Sequence, residues 1–329
     1  MQYLKLAKFY EEVSSTTKRL EKIEILASFL KKLSEKDKDI MYLLGGNIYP
    51  EYDERKIGIS NQIAIKAISK ATGIDGKKII KEWKKIGDIG KVAEKFIQNK
   101  KQTTLRSKTL TTEKVISNLR KLPELVGPGT VNKKLFLITE LLTSSQPIEA
   151  KYLIRTLIGD LRIGVQESTI REALSKAFFN KDKKATEIIQ RAIDQANDLG
   201  YIFEIARKKN LKKLQKIELQ IGRPIKVMLA QKVKNIKEGF KNLGKPCAIE
   251  YKYDGFRLII HKNKEEVILF TRRLENVTKQ FPEVKKYILK YVNAESCILD
   301  SEAVGYNKKT KKYTNFQAIS QRIRRKYNI

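Results

Sequence analysis

The feature that most limits what this chain can fold into is a change of texture near Pro224. Through residues 1–215, apolar side chains return every three or four positions, as in "RLEKIEILASFLKKL" (19–33) and "KLFLITELL" (134–142). That period lines them up on one face of a helix. Prolines are few, and the breaks are marked by Gly or Ser/Thr, at "TGIDG" (72–76) and "LVGPGT" (125–130). Beyond Pro224 the runs shorten. "CAIEYKY", "FRLIIHK", "EVILFTRR" and "SCILDSEAVGY" read as strands, the middle two joined by the turn-like "NKE". The sequence therefore predicts an all-α domain over 1–215 and an α+β domain over 216–329. The charged stretch "ARKKNLKKLQKIELQIGRP" (206–224) lies between them.

The helical half contains an echo of itself. "KIGISNQIAIKAISKA" (56–71) aligns without gaps onto "RIGVQESTIREALSKA" (162–177). Each copy is a basic residue, Ile, Gly, a β-branched residue, and then an amphipathic helix ending Ser-Lys-Ala. Upstream, "YLLGG" (42–46) roughly echoes "YLIRT" (152–156). Two copies of one helix–Gly–helix unit predict packing about an approximate two-fold axis. A glycine turn that opens a helix presents free N–H groups suited to phosphate, and two such turns match the two antiparallel strands of a duplex. Gly58, Gly164, Arg155, Arg162 and Arg171 are the candidate DNA-binding residues on this reading. A glycine that merely permits a tight helix–helix turn is the structural alternative.

Charge points the same way. Lys and Arg number 69 against 37 Asp and Glu, a formal net charge of +32 spread along the chain. Self-repulsion of that size is relieved by a polyanion, which indicates nucleic acid. A lysine- and isoleucine-rich proteome produces the same bias. No apolar run approaches a membrane span, and the start lacks the cleavage pattern of a secretory leader, so an intracellular, cytoplasmic location is expected. Cys247 and Cys297 sit in apolar contexts without metal-ligand spacing and read as reduced core residues. A single histidine, His261, argues against a His-based zinc site or a Ser-His-Asp triad.

Within "AIEYKYDGFRLIIHK" (248–262), Lys252 stands between Glu250 and an Asp-Gly turn. Lys-x-Asp-Gly alone is a weak signal, but Glu250 and Arg257 at their spacings make chance roughly several hundred-fold rarer. A lysine that attacks a nucleotide phosphate must be deprotonated at that moment, which a metal and nearby cations favour. Asp254-Gly255 lets backbone approach a ligand. Arg257 is placed to hold phosphate or ribose, and Glu250 can accept from an adenine amino group.

"EYKYDGFR" resembles the nucleotidyltransferase motif of ATP-dependent DNA ligases of the archaeal and eukaryotic replicative type. "RPIKVMLAQK" (223–232) is similar to the segment opening that family's adenylation domain. "LFTRRLENVTKQFPEV" (269–284) resembles its next motif, with Arg272 at the nucleotide-contacting position, and "ILDSEAVGYN" (298–307) resembles the strand carrying an acidic residue, here Glu302. "GDLRIGVQESTIREALSKAF" (159–178) is similar to the signature of the family's helical DNA-binding domain.

The resemblance implies a truncated nucleotidyltransferase fold after the helical domain. It implies ATP and Mg²⁺ as cofactors, and duplex DNA with a nick as substrate. Lys252 would attack the α-phosphate to give lysyl-AMP, AMP would pass to a 5′-phosphate, and the 3′-hydroxyl would displace it. Glu302 would bind the ribose or help place metal. The arginines of "QRIRRKYNI" (321–329) would touch DNA or phosphate, or form a frayed basic end. The family pattern continues beyond Ile329 with further strands of the adenylation domain and an OB-fold domain. A fragment or a split gene is therefore expected, with a separate chain carrying the remainder, and a sliding clamp, as candidate partners in the nucleoid. A non-catalytic duplex-binding module is the alternative function.

Overall fold

In the first helical hairpin, Ile23, Leu26, Ala27 and Leu30 all point inward from one helix, and Leu6, Tyr10 and Val13 meet them from another. The computed structural model in which they do so describes residues 1–98, 109–227, 230–307 and 309–323. It divides into two compact units, Met1–Glu218 and Leu219–Ile329.

The described residues of the first unit form helices only, apart from one isolated bridge between Gln2 and Thr111. In order these are α1 (Tyr3–Ser14), α2 (Arg19–Lys32), α3 (Ile40–Leu44), α4 (Asn61–Thr72), α5 (Gly76–Ile86), α6 (Ile89–Gln98) and α7 (Thr112–Glu124). Then follow α8 (Thr130–Ser144), α9 (Pro147–Ile158), α10 (Glu167–Phe179), α11 (Lys183–Ala196), α12 (Leu199–Arg207) and α13 (Leu211–Gln215). The two Gly-rich breaks fall where the sequence put them, between α4 and α5 and between α7 and α8. Helix α9 is the axis of the packing: every residue from Glu149 to Leu157 is buried. It starts on Pro147 with a capping box from Gln146 and Glu149, and Gly159 ends it in the left-handed region. None of the described helices is long and apolar enough to cross a membrane.

The second unit holds α14 (Ile236–Leu243), β1 (Phe256–Asn263), β2 (Glu266–Thr271), α15 (Pro282–Tyr291), β3 (Ser296–Ala303), β4 (Gly305–Asn307), β5 (Lys312–Thr314) and α16 (Phe316–Ile323). The larger sheet has the order β2-β1-β3 with antiparallel neighbours, and β4 pairs β5 separately. Alternation along β1 sends Phe256, Leu258 and Ile260 into a core with Leu269, Val277 and Phe281, against Val284, Ile288 and Ile319 of the helices. Arg257, Ile259 and His261 project from the opposite face. A helical region is thus followed by a domain with sheet.

One expectation needs correction. "CAIEYKY" (247–253) has the composition of a strand, yet it forms none, and β1 starts only at Phe256. β-branched and aromatic content makes a segment able to join a ladder; it does not supply the partner. Met228 and Leu229 of the "RPIKVMLAQK" segment, and Arg324 and Arg325 of the basic end, lie outside the described residues. Arg322 is described, and it forks onto Glu283 at 2.6 and 2.8 Å, tying α16 to α15.

Candidate functional site

In the second unit, strand register gathers most of the expected residues at one end of the sheet. Arg257 of β1 is the direct partner of Glu302 of β3, so the two side chains share a face. Thr271 closes β2 opposite Leu258, which brings Arg272, the next residue, to the same end. Gly255 explains why the turn is Asp-Gly: a Cβ there would stand 2.3 Å from the Ala303 carbonyl oxygen and 2.9 Å from Val304. Only a residue without a side chain lets the lysine-bearing turn lie against β3 just past Glu302.

Lys252 and Glu250 lie in the irregular stretch leading into β1, and both are exposed. Neither makes an ion pair or hydrogen bond with another described residue. The ring of Tyr251 lies 6.5 Å from that of Tyr253, one on each side of Lys252 in sequence. Arg272 and Glu302 are exposed as well. Arg257 is not free. Its Nε donates to Asp300 Oδ1 at 2.8 Å and its Nη2 to Asp300 Oδ2, and hydrogen bonding to Asp300 raises its pKa further, with the Glu302 charge adding to it. The sequence reading had no signal for Asp300, which is 43 residues away from its partner.

No group of three or more His, Cys, Asp or Glu able to hold a metal occurs among the described residues. Mg²⁺ bound on nucleotide phosphates needs only one or two protein carboxylates, and the Glu302 carboxylate, unpaired among the described residues, fits that requirement.

In the first unit, the glycine of each echoed stretch is left-handed. Gly58 has φ +58° and Gly164 has φ +63°, each at the same spacing before its helix, α4 or α10. Ser60 caps α4 by accepting from the Ile63 N–H. The second turn is braced more heavily. Lys22 of α2 is buried, and its Nζ donates to the carbonyls of Ile163 at 2.6 Å and Gly164 at 3.2 Å. In a trans peptide the next N–H points the opposite way, so this brace turns the Gly164 and Val165 N–H groups away from Lys22. Desolvation lowers the Lys22 pKa.

Arg155, a candidate DNA-binding residue by sequence, is buried inside the unit. Its Nη2 donates to Asp88 Oδ2 at 2.5 Å and its Nη1 to the Leu161 carbonyl at 3.4 Å. It therefore supports the turn from within. Asp88 also caps α6, accepting from the Gly90 N–H at 2.9 Å. Burial works to raise the Asp88 pKa, but the Arg155 hydrogen bond and charge outweigh it and leave the carboxyl below its ordinary value. Arg162, half exposed at φ +56°, reaches Asp160 at 2.6 Å and Asp88 at 3.6 Å. Arg171 on α10 donates to Gln190 at 2.5 Å and Glu172 at 2.6 Å. The structure thus brings Arg155, Arg162 and Gly164 together and sets Arg171 against α11. Lys22 and Asp88 carried no sequence signal, because a buried Lys on a helix reads like any surface Lys.

Comparison with known proteins matches residues 2–175 to the family described as DNA ligase N terminus. Residues 227–329 match the family described as ATP dependent DNA ligase domain. The chain is 40% identical over 329 residues to the DNA ligase of Nanoarchaeum equitans, covering 100% of this chain and 57% of that protein. It is 42% identical over 331 residues to the DNA ligase of Methanosphaera stadtmanae, covering 99% and 58%. It is 36% identical over 330 residues to the DNA ligase of Thermococcus onnurineus, covering 100% and 58%. The chain therefore spans well under two thirds of the length of these relatives.

Proposed function

Because the chain belongs to the ATP-dependent DNA ligase family, we propose that it carries the DNA-gripping part and the first part of the nucleotide-transfer machinery of an ATP-dependent DNA ligase. The observation that carries this reading is the setting of Lys252. It is an exposed amine with no carboxylate paired to it among the described residues, beside a sheet end bearing Arg257, Arg272 and Glu302.

In this reading the Lys252 amine attacks the α-phosphorus of ATP. A P–N bond forms, the bond to pyrophosphate breaks, and the amine proton leaves to water. The AMP then moves to a 5′-phosphate at a nick, and the 3′-hydroxyl displaces it as the strand closes. Glu250 accepts from the adenine amino group, Arg272 contacts the nucleotide, and Arg257, steadied by Asp300, faces phosphate or ribose. Mg²⁺, when bound, neutralises phosphate charge, and Glu302 would hold it or the ribose.

Residues 1–215 serve as the DNA-binding domain, and 216–329 as the first part of the adenylation domain. The two glycine turns are copies related by an approximate two-fold axis, each meeting the backbone of one DNA strand. Arg162 and Arg171 add charge there, and Arg155 holds the second turn from beneath. The additional length found in the relatives supplies the remaining adenylation strands and an OB-fold domain, in the same polypeptide or in a separate chain. A sliding clamp and a nucleoid location complete the reading.

Radiolabelled ATP tests it. The chain supplemented with the remaining length of a relative should acquire label on Lys252 and seal nicked duplex. Duplex binding by that preparation without any label on Lys252 would leave a binding module and refute the transfer role.

A further inference from the structure

His261 is the chain's single histidine, and nothing in the reaction above uses it. Its side chain is buried in the second unit at 1% exposure, edge-on to Phe270 with ring centroids 5.0 Å apart. Its Nδ1 accepts a hydrogen bond from the backbone N–H of Gly222 at 2.9 Å. Gly222 sits at φ +82° in a tight turn closed by the Arg223 N–H donating to the Gln220 carbonyl at 3.1 Å. The glycine is required there, since other residues rarely adopt that φ. From this turn the chain runs on through Pro224, which is buried although it belongs to no helix or strand.

The location on the sheet gives the contact its meaning. Side chains of β1 alternate, so Arg257, Ile259 and His261 project from one face. Arg257 and Glu302 mark one end of that face, and His261 lies about 13 Å further along it. The Gly222 turn is therefore fastened to the same side of the sheet that carries the candidate nucleotide residues, opposite the apolar core. Because Nδ1 accepts from that N–H, the bond fixes which ring nitrogen is bare and leaves the proton on Nε2, which is buried with no hydrogen-bond partner among the described residues.

We propose that His261 is a positioning residue of the nucleotide site, clasping the strap of residues 220–227 across the face that bears Arg257 and Glu302. This rests on the nucleotide reading of that face. The strap enters the adenylation domain at a defined height above the sheet, and the imidazole accepts from it as a neutral ring with its proton on Nε2. Burial, which lowers the His261 pKa, keeps the ring in that form at neutral pH.

Three measurements on the full chain test the proposal. Nitrogen NMR of the lone imidazole should give the Nε2–H tautomer at neutral pH. His261→Phe keeps a ring but removes the acceptor, and should lower Gly222 amide-exchange protection about fivefold; ATP affinity should fall by a similar factor. His261→Asn keeps an acceptor where Nδ1 stands and should retain most of both. A ring protonated on Nδ1, or Gly222 protection unchanged in His261→Phe, would overturn the clasp. A loosened strap with unaltered ATP affinity would overturn its role in positioning the site. Absence of ATP binding in the wild-type chain would instead count against the nucleotide reading, and the clasp itself would stand or fall on the tautomer and exchange results.

Discussion

Arg257 grips Asp300 with two guanidinium nitrogens, from β1 across to β3, two residues along β3 from its direct partner Glu302. The pair is partly exposed, so it contributes under about 1 kcal/mol to stability. Its consequence is orientation: Arg257 is held on the sheet instead of sweeping through solvent. Asp300→Ala should leave the melting temperature nearly unchanged while weakening ATP binding about fivefold. Isothermal titration of both proteins checks it. Tighter ATP binding in the variant would mean that Asp300 competes with phosphate for Arg257.

That relationship also marks the limit of what the sequence discloses. The motif of Glu250, Lys252 and Arg257 is legible because it is a matter of short-range spacing. Gly58 and Gly164 are legible because a repeated glycine before a repeated helix has a backbone reason, and both turns are left-handed in the structure. The Asp300 partner of Arg257 is not legible, since pairing between β1 and β3 is set by register across an intervening strand and helix. Arg155 reads as a candidate DNA contact because it lies close in sequence to the second glycine turn. Its helix turns out to be the buried axis of the unit, and only the fold brings Asp88 to it. The strand expected at 247–253 had suitable composition but no ladder.

The Asp88 carboxylate receives both Arg155 and Arg162. Asp88→Asn should cost about 3 kcal/mol, because it leaves a buried guanidinium uncompensated. The pH dependence follows from the direction of the shift. The Asp88 pKa is lowered in the folded state, so its stabilisation is fully present above the unfolded value of about 3.9 and is lost as pH falls through the lower folded value. Denaturant melts should show the gap between wild type and variant narrowing only in that acid range. A gap that stays constant to pH 2 would refute the assignment.

Gly164→Ala should be worse than Gly58→Ala. Both impose a Cβ on a left-handed residue, worth about 1–2 kcal/mol. At Gly164 that Cβ would also stand 2.5 Å from Lys22 Nζ, whereas at Gly58 the nearest contact is the Lys56 carbonyl oxygen at 3.7 Å. Displacing Lys22 releases the two carbonyls that orient the turn. Duplex affinity measured by fluorescence anisotropy should fall by about tenfold or more for Gly164→Ala and by less for Gly58→Ala. Equal losses would show that Lys22 does not brace the turn.

Duplex binding by the whole chain should depend steeply on salt and little on sequence. The motive is the net charge of +32 together with turns that offer backbone N–H groups to phosphate, which carry no base information. Raising salt from about 50 to 200 mM should lower affinity on the order of a thousandfold if roughly six phosphates are neutralised. Two unrelated duplexes titrated in parallel should give the same slope. A flat salt response would remove the electrostatic basis of the reading.

Lys252→Arg separates chemistry from binding. Arginine keeps the positive charge but cannot lose its proton at neutral pH, so it cannot attack phosphorus. Lys252 is exposed and makes no ion pair or hydrogen bond with another described residue, so the substitution should shift stability by less than about 0.5 kcal/mol. Duplex affinity should stay at the wild-type value, because the glycine turns belong to the other unit. In the preparation supplemented with the relatives' remaining length, label transfer from ATP should vanish entirely. A partial loss is not expected, since the attack has no slower version without the amine. Labelled adduct on the variant would place the nucleophile elsewhere and leave Lys252 as a phosphate contact alone.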